Sequence, residues 1–289
     1  MLLTMRAVDR IDELRELVRG WRAAGERVGF VPTMGSLHEG HLSLLELARQ
    51  RSQRVIVSIF VNPLQFGPGE DFERYPRMPE EDSRLLQVHR CDVLFNPSVA
   101  HMYPEGGVSA TVVSVRPLSQ ILCGAVRPGH FDGVATVVAR LFGIVQPDVA
   151  VFGEKDYQQL AVIRRMTEDL ALPVEVIGAP TVRASDGLAM SSRNRYLAAA
   201  EREIAPKLYA MLQMLARRLM EGQREYAVLE EEGTRVLRDA GFAPDYVSIR
   251  DARTLEPPGA QCSEAVVLAA ARLGRARLID NLRVVLPND

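Results

Sequence analysis

Between Val28 and Gln50 the chain reads VGFVPTMGSLHEGHLSLLELARQ, an order that fits a buried strand, a glycine-bearing turn and a helix. Val28, Phe30 and Val31 supply the strand, and Pro32, which has no N–H to donate to a ladder, marks its end. Gly35 and Ser36 make the turn. From His38 onward Leu42, Leu44, Leu45, Leu47 and Ala48 form a broad apolar helical face, with Arg49 and Arg51 near the C-terminal end, where cations favour the helix dipole. A helix that begins in such a turn offers free backbone N–H groups and a partial positive charge, the combination that binds phosphate. His38 and His41, three residues apart, lie on one side of the first turn, where both imidazoles can donate to phosphoryl oxygens. A single histidine at a helix start is commonly a cap or a surface residue. Here two of the chain's five histidines fall within four residues, which favours the phosphate reading.

Two further strands end in polar turns. Arg54 to Val61 is a continuous β-branched and aromatic run suited to a strand covered on both faces of a parallel sheet. It leads to Asn62, Pro63, Leu64 and Gln65. Val149 to Phe152 leads to Gly153, Glu154, Lys155, Asp156, Tyr157, Gln158 and Gln159, and a helix continues through Leu170. Open α/β sheets place ligands at the C-terminal ends of their strands, so these turns are expected to share a crevice with His38 and His41. Gly153 allows close backbone approach, Lys155 carries a compact positive charge, and the Gln65 and Gln159 amides can donate and accept. Taken singly, each is equally at home as a solvated loop or helix residue.

The remaining elements complete an α/β chain. The pattern predicts helices over residues 9–24 and 131–145, and strands over 92–95, 111–115 and 174–177, with the first domain closing at 182. Residues 68–83 are polar and proline-punctuated, as in a mobile lid. Within them Glu80, Glu81 and Asp82 read first as a solvated helix start and second as ligands for Mg²⁺. Arg127 and His130 can reach phosphate, but a plain loop running into a helix explains them equally well. Ser191, Ser192 and Arg193 offer two hydroxyls and a guanidinium, suited to a triphosphate that gains charge as pyrophosphate leaves. A serine-rich interdomain loop is the alternative. Residues 183–289 form a smaller α+β domain, with helices over 199–220 and 224–240 and strands over 245–250, 265–271 and 277–280.

Charge and composition narrow the function classes. With 35 basic and 37 acidic residues the formal charge is −2, so no basic excess points to a nucleic-acid partner. Charged or polar residues interrupt every apolar run before ~18 residues, the length of a membrane span, and the N-terminus lacks a secretory signal. A cytoplasmic location is expected. Three scattered cysteines, Cys91, Cys123 and Cys262, form no Cys-X-X-Cys pair and suggest buried thiols.

The string PTMGSLHEGH resembles the ATP-binding segment of pantothenate synthetases, a branch of the nucleotidyltransferases with a His-X-Gly-His motif, here His38, Glu39, Gly40 and His41. GEKDYQQ and MSSRN follow the same family's pattern. The second matches the mobile Lys-Met-Ser-Lys-Ser loop of the wider superfamily, with Arg193 supplying the charge where no lysine stands. The resemblance is dense from Val28 to Tyr196 and looser beyond, through the terminal ARLGRARLIDN string. It implies a Rossmann-like nucleotide-binding domain over residues 1–182 and a C-terminal α+β lid domain. It also implies a cytoplasmic homodimer that condenses pantoate with β-alanine, on the route to coenzyme A, through a bound pantoyl-adenylate. The implied ATP site is Met34, Gly35, Ser36, Leu37, His38, Glu39, Gly40, His41, Gly153, Glu154, Lys155, Asp156, Val182, Met190, Ser191, Ser192 and Arg193. His38, His41, Lys155, Ser191, Ser192 and Arg193 would act in catalysis, Asn62, Gln65 and Gln159 would bind pantoate and β-alanine, and Mg²⁺ would accompany ATP with its ligands unassigned. Two other classes stay open. A nucleotidyltransferase for a phosphorylated substrate would want basic residues at Gln65 and Gln159, and a non-enzymatic nucleotide or RNA module would want aromatic-basic clusters.

Overall fold

The computed structural model describes residues 5–104 and 111–287. It divides into two compact units, Met1–Glu154 with Val162–Pro180, and Lys155–Ala161 with Thr181–Asp289.

In the first unit six parallel strands, β1 (Arg6–Val8), β2 (Val28–Thr33), β3 (Arg54–Ile59), β4 (Val93–Phe95), β5 (Val149–Gly153) and β6 (Glu175–Ala179), stand in the order β1-β4-β3-β2-β5-β6. The chain runs outward from β2 through β3 to β4, then crosses to β5 and β6 on the other side. β2 and β5 therefore flank the switch point at which open α/β sheets take their ligands. The helices are α1 (Ile11–Ala23), α2 (Glu39–Arg51), α3 (Pro79–Val88), two single turns α4 (Val99–Met102) and α5 (Cys123–Val126), then α6 (His130–Val145) and, from Val162 onward, α7 (Tyr157–Asp169), whose first five residues belong to the second unit. Leu44, Leu45 and Ala48 of α2 close on Val31, Val57 and Val151 in one buried cluster. The strands read as unbroken apolar runs because both faces of the sheet are covered.

Three readings of this unit need correction. β2 continues through Pro32 to Thr33. Proline is tolerated there because β2 pairs with β5 only at Gly29 and Phe30, so Pro32 lies past the ladder on that side while its register with Ser58 of β3 persists. Residues 112–115 form no strand; the Val113 N–H donates to the Thr136 hydroxyl of α6 rather than to a neighbouring strand. The edge strand β1, three residues long and paired with β4, was too short to show in the pattern.

The second unit carries an antiparallel sheet, β7 (Ala243–Asp251), β8 (Glu264–Leu273) and β9 (Ala276–Val285), in that order. Helices α8 (Ala199–Ile204), α9 (Lys207–Met220) and α10 (Tyr226–Asp239) precede it. Leu208, Met211, Leu212, Leu215 and Leu219 of α9 pack with Val267, Ala269, Leu278 and Val284 of the sheet. The single helix expected over 199–220 is two, divided at Ala205 and Pro206, because proline starts a helix readily and interrupts one in its interior. The strands run longer than their apolar cores suggested. Among the described residues no helix is long and apolar enough to cross a membrane.

Candidate active site

The turn after β2 places Gly35 at φ 79° and Ser36 at φ 52°, two successive residues in the left-handed region. A Cβ at Gly35 would lie 3.0 Å from both Asp82 Oδ2 and Ile59 Cγ2, so glycine is required there by conformation and by space. His38 is the N-cap of α2. Its Nδ1 accepts from the Gly40 N–H at 3.1 Å, and His41 Nδ1 accepts from the His38 N–H at 3.3 Å. The two imidazoles thus form a reciprocal capping box, with ring centroids 4.1 Å apart. An Nδ1 that accepts carries no proton, so these bonds assign the ring proton of each histidine to Nε2 as a donor.

Asp82 holds this turn from behind. Only 1% exposed, its carboxylate accepts from the Leu37 N–H at 2.7 Å and from the Ser36 N–H at 2.8 Å. The solvated reading of this acid is therefore wrong, and its two oxygens are engaged in fixing the segment that leads to His38. Nothing in the sequence near Asp82 pointed to the turn 45 residues earlier. The Asp82 N–H makes the ordinary first backbone bond of α3, to the Met78 carbonyl, while its carboxylate reaches out of its own helix to the other turn.

Asn62, also 1% exposed, accepts from the Leu64 N–H and the Tyr103 hydroxyl, and donates to Gln65 Oε1 and to the Gly133 carbonyl. These bonds make Asn62 a support for Gln65. A Cβ at Gly133 would lie 2.2 Å from the Leu64 carbonyl oxygen, so glycine there lets α6 come against the Pro63–Gln65 turn. Gln65 Nε2 donates to Met34 Sδ at 3.0 Å, a weak acceptor that leaves the amide hydrogen-bonding capacity. Arg127 and His130 both meet the Gln65 backbone carbonyl, at 3.3 and 2.8 Å. Arg127 also forms a two-pronged pair with Glu70, at 2.7 and 2.5 Å. Burial alone would raise the Glu70 carboxyl, but the Arg127 hydrogen bonds and charge outweigh it and hold the group below the usual carboxylate range. Arg127 is thereby engaged in tying the 66–77 segment to the start of α6.

In the second unit Lys155 is half-buried, its Nζ 3.7 Å from Asp156 Oδ2, and its carbonyl accepts from Asn281 Nδ2 at 2.9 Å. Tyr157 donates to the Ala252 carbonyl at 2.7 Å, and Gln159 is half-buried in the first turns of α7. Residues 182–190 form a small hairpin closed by Met190 N–H to the Val182 carbonyl and by an Arg183–Ala189 bridge. Ser191 then caps a 3-10 helix over Ser192–Tyr196, its hydroxyl accepting from the Arg193 N–H, and Asn194 donates to the Ala189 carbonyl. Ser192 is buried. The stretch expected to be a loop is therefore an ordered turn.

A family model described as pantoate-beta-alanine ligase matches residues 6–283. The pantothenate synthetase of Ectopseudomonas mendocina (strain ymp) is 55% identical over 282 residues, covering 98% of this chain and 99% of that one. That of Alcanivorax borkumensis is 52% identical over 285 residues, covering 99% of this chain and all of its relative. Among solved structures, the pantothenate synthetase of Thermus thermophilus superposes with a TM-score of 0.88 at 53% identity, covering 96% of this chain and 99% of that one. The pantoate-beta-alanine ligase of Francisella tularensis, solved with beta-gamma ATP and beta-alanine, gives 0.81 at 35% identity, covering 96% and 97%.

Proposed function

The chain belongs to the pantoate-beta-alanine ligase family, and from that premise we propose how its residues carry out the ATP-dependent condensation of pantoate with β-alanine to pantothenate, AMP and pyrophosphate. A carboxylate is a poor electrophile, so the pantoate oxygen first attacks the α-phosphorus of ATP, and the bond to the β-phosphate oxygen breaks to release pyrophosphate. The β-alanine amine then attacks the carbonyl carbon of the mixed anhydride, AMP departs, and the amine loses a proton. No serine or cysteine stands in a nucleophile motif with its base. The activated acyl group is therefore carried as a bound pantoyl-adenylate, and catalysis comes from positioning and charge stabilisation.

The observation that carries this reading is the His38–His41 capping box, which turns both Nε2–H groups into donors at a helix N-terminus. His41 meets the charge that develops at the α-phosphate and His38 holds phosphoryl oxygens. Met34 to His41 and Gly153 to Asp156 line the nucleotide, as do Val182 and Met190. Lys155, Ser191, Ser192 and Arg193 stabilise the departing pyrophosphate. Gln65, supported by Asn62, and Gln159 bind pantoate and β-alanine, since neutral amides suit an unphosphorylated acid better than a phosphate ester.

Magnesium enters as part of the substrate, Mg·ATP. Among the described residues no grouping of three or more His, Cys, Asp and Glu side chains forms a metal cage, and the Asp82 carboxylate is occupied by two backbone N–H groups, so this chain fits a metal that arrives on phosphate oxygens. We assign nucleotide and pantoate binding to residues 1–182, a covering role to residues 183–289, and the working form to a cytoplasmic homodimer. AMP release from ATP, measured with pantoate and β-alanine supplied singly and together, tests the reading. Full AMP turnover is expected only with both acids present, and AMP turnover indifferent to pantoate would refute it.

A further inference from the structure

Two segments assigned above to pyrophosphate, the turn at Lys155 and the stretch Ser191–Arg193, are far apart in sequence, yet both are tied to consecutive residues of one strand. Asp280 and Asn281 lie in β9, opposite Ala269 and Leu268 of β8, and both are buried. Successive side chains of a strand point to opposite faces. On one face Asp280 receives the Arg183 guanidinium in a two-pronged pair, at 2.6 and 2.9 Å. The guanidinium lies over the Tyr209 ring of α9, 3.6 Å from its centroid, and donates further to the Gly187 and Asn281 carbonyls at 3.1 and 3.3 Å. Arg183 thereby anchors the 182–190 hairpin from which Ser191 to Arg193 emerge. On the other face Asn281 donates from Nδ2 to the Lys155 carbonyl at 2.9 Å. The two anchors are joined as well, because the Asn281 N–H donates to Asp280 Oδ1 at 2.8 Å.

We propose that Asp280 and Asn281 are positioning residues of the ligase reaction, fixing the distance between Lys155 and the Ser191–Arg193 turn so that both meet the same departing pyrophosphate. The inference rests on the function proposed for Lys155 and Arg193 and goes beyond it, since neither β9 residue need touch a substrate. The spacing between the two anchors is one Cα–Cα step, about 3.8 Å, held by the ladder to β8. A fixed spacing of this kind lets charged donors act on a developing charge without reorganising at the moment of reaction. A buried, two-pronged Arg–carboxylate pair suits the role by its geometric specificity. It is weak evidence for a stabilising role, because burying both charges offsets much of their attraction.

The test is a double-mutant cycle on labelled pyrophosphate exchange into ATP. Asn281→Ala is expected to lower turnover about tenfold while leaving the KM for pantoate within about twofold, the signature of an interaction made in the transition state. In a Lys155→Ala background the same change is expected to have an effect of less than about twofold, because residues that act as one unit are not additive. Asn281→Asp, which keeps the shape but replaces the donor with a buried carboxylate beside Asp280, should lose at least as much turnover as Asn281→Ala, and Asp280→Asn read against Arg193→Ala should show the same coupling. Losses that multiply in the double variants, or an Asn281→Ala enzyme as fast as the parent, would overturn the proposal. So would failure of both Asn281→Ala and Asn281→Asp to fold, which would make the residue purely structural. Near-normal turnover of Lys155→Ala alone would strike first at the proposed function of Lys155, and is read before any Asn281 variant.

Discussion

Asp82 offers a quantitative test of how the histidine turn is held. Its carboxylate accepts two buried backbone N–H bonds at 2.7 and 2.8 Å, and a charge-assisted bond of this kind contributes about 1.5–3 kcal/mol. Asp82→Ala orphans both donors in a turn that already holds Ser36 at φ 52°. The expected loss of stability is about 3–5 kcal/mol, using that same range with some relief from water. For a unit of this size that corresponds to a fall in melting temperature of roughly 10 °C. Asp82→Asn keeps one acceptor and turns an N–H donor toward another, so roughly half that loss is expected on the same scale. Activity should fall further than stability explains, because at temperatures where the variant is fully folded the His38 and His41 donors are no longer fixed. Pyrophosphate exchange at 20 °C in the folded variant should drop by about 10²-fold, the scale of one lost donor to a transition-state charge. The assay pairs circular-dichroism melting with exchange kinetics on the same preparations. An Asp82→Ala protein that melts within about 2 °C of the parent would refute the energetic reasoning, and one that exchanges at the parental rate would refute the link to the histidines.

Other outcomes follow from the same geometry. His41→Ala should lower turnover by about 10²-fold with the fold intact, measured by steady-state AMP release. Gln65→Ala should raise the pantoate requirement far more than the ATP requirement, read from the two KM values, because a neutral amide adds little to triphosphate binding. The Glu70 carboxyl is held below its unfolded value by Arg127, so its contribution to stability is complete above the unfolded pKa and is lost as pH falls through the lower folded value. Urea titrations of the parent and Glu70→Gln should therefore differ at pH 7 and converge in the acid range. Burial pushes the Cys91 thiol up to about 12, so Cys91 in the native protein should resist iodoacetamide at pH 8 and react once unfolded, as scored by mass spectrometry.

The parts of this chain that were legible in its sequence are those whose signal is local. The β2-turn-α2 unit shows itself because apolar period, turn glycine and paired histidines occupy one window, and the parallel sheet shows itself in strands apolar on both faces. The Ser191–Arg193 stretch was found by motif, though its 3-10 turn and the 182–190 hairpin before it were not. What escaped depends on partners distant in the chain. Asp82 looked like a solvated acid because its acceptors are used 45 residues away. Asn281 lay just past the strand expected over 277–280, and nothing local signalled that its partner is Lys155. Residues 111–115 alternate like a strand, but alternation states only which faces differ and does not supply a neighbouring strand to pair with. Pro206 is the exception. It was visible in the sequence and divides the helix expected over 199–220 for a purely local reason.

Exchange of labelled pyrophosphate into ATP, with pantoate and Mg²⁺ present and β-alanine absent, tests the acyl-adenylate route most directly. If pantoate is activated before the amine arrives, the first step is reversible by itself, and label should enter ATP at a rate comparable to turnover, with dependence on His41 and Lys155. Label that enters ATP only after β-alanine is added would contradict the route and point to a concerted displacement.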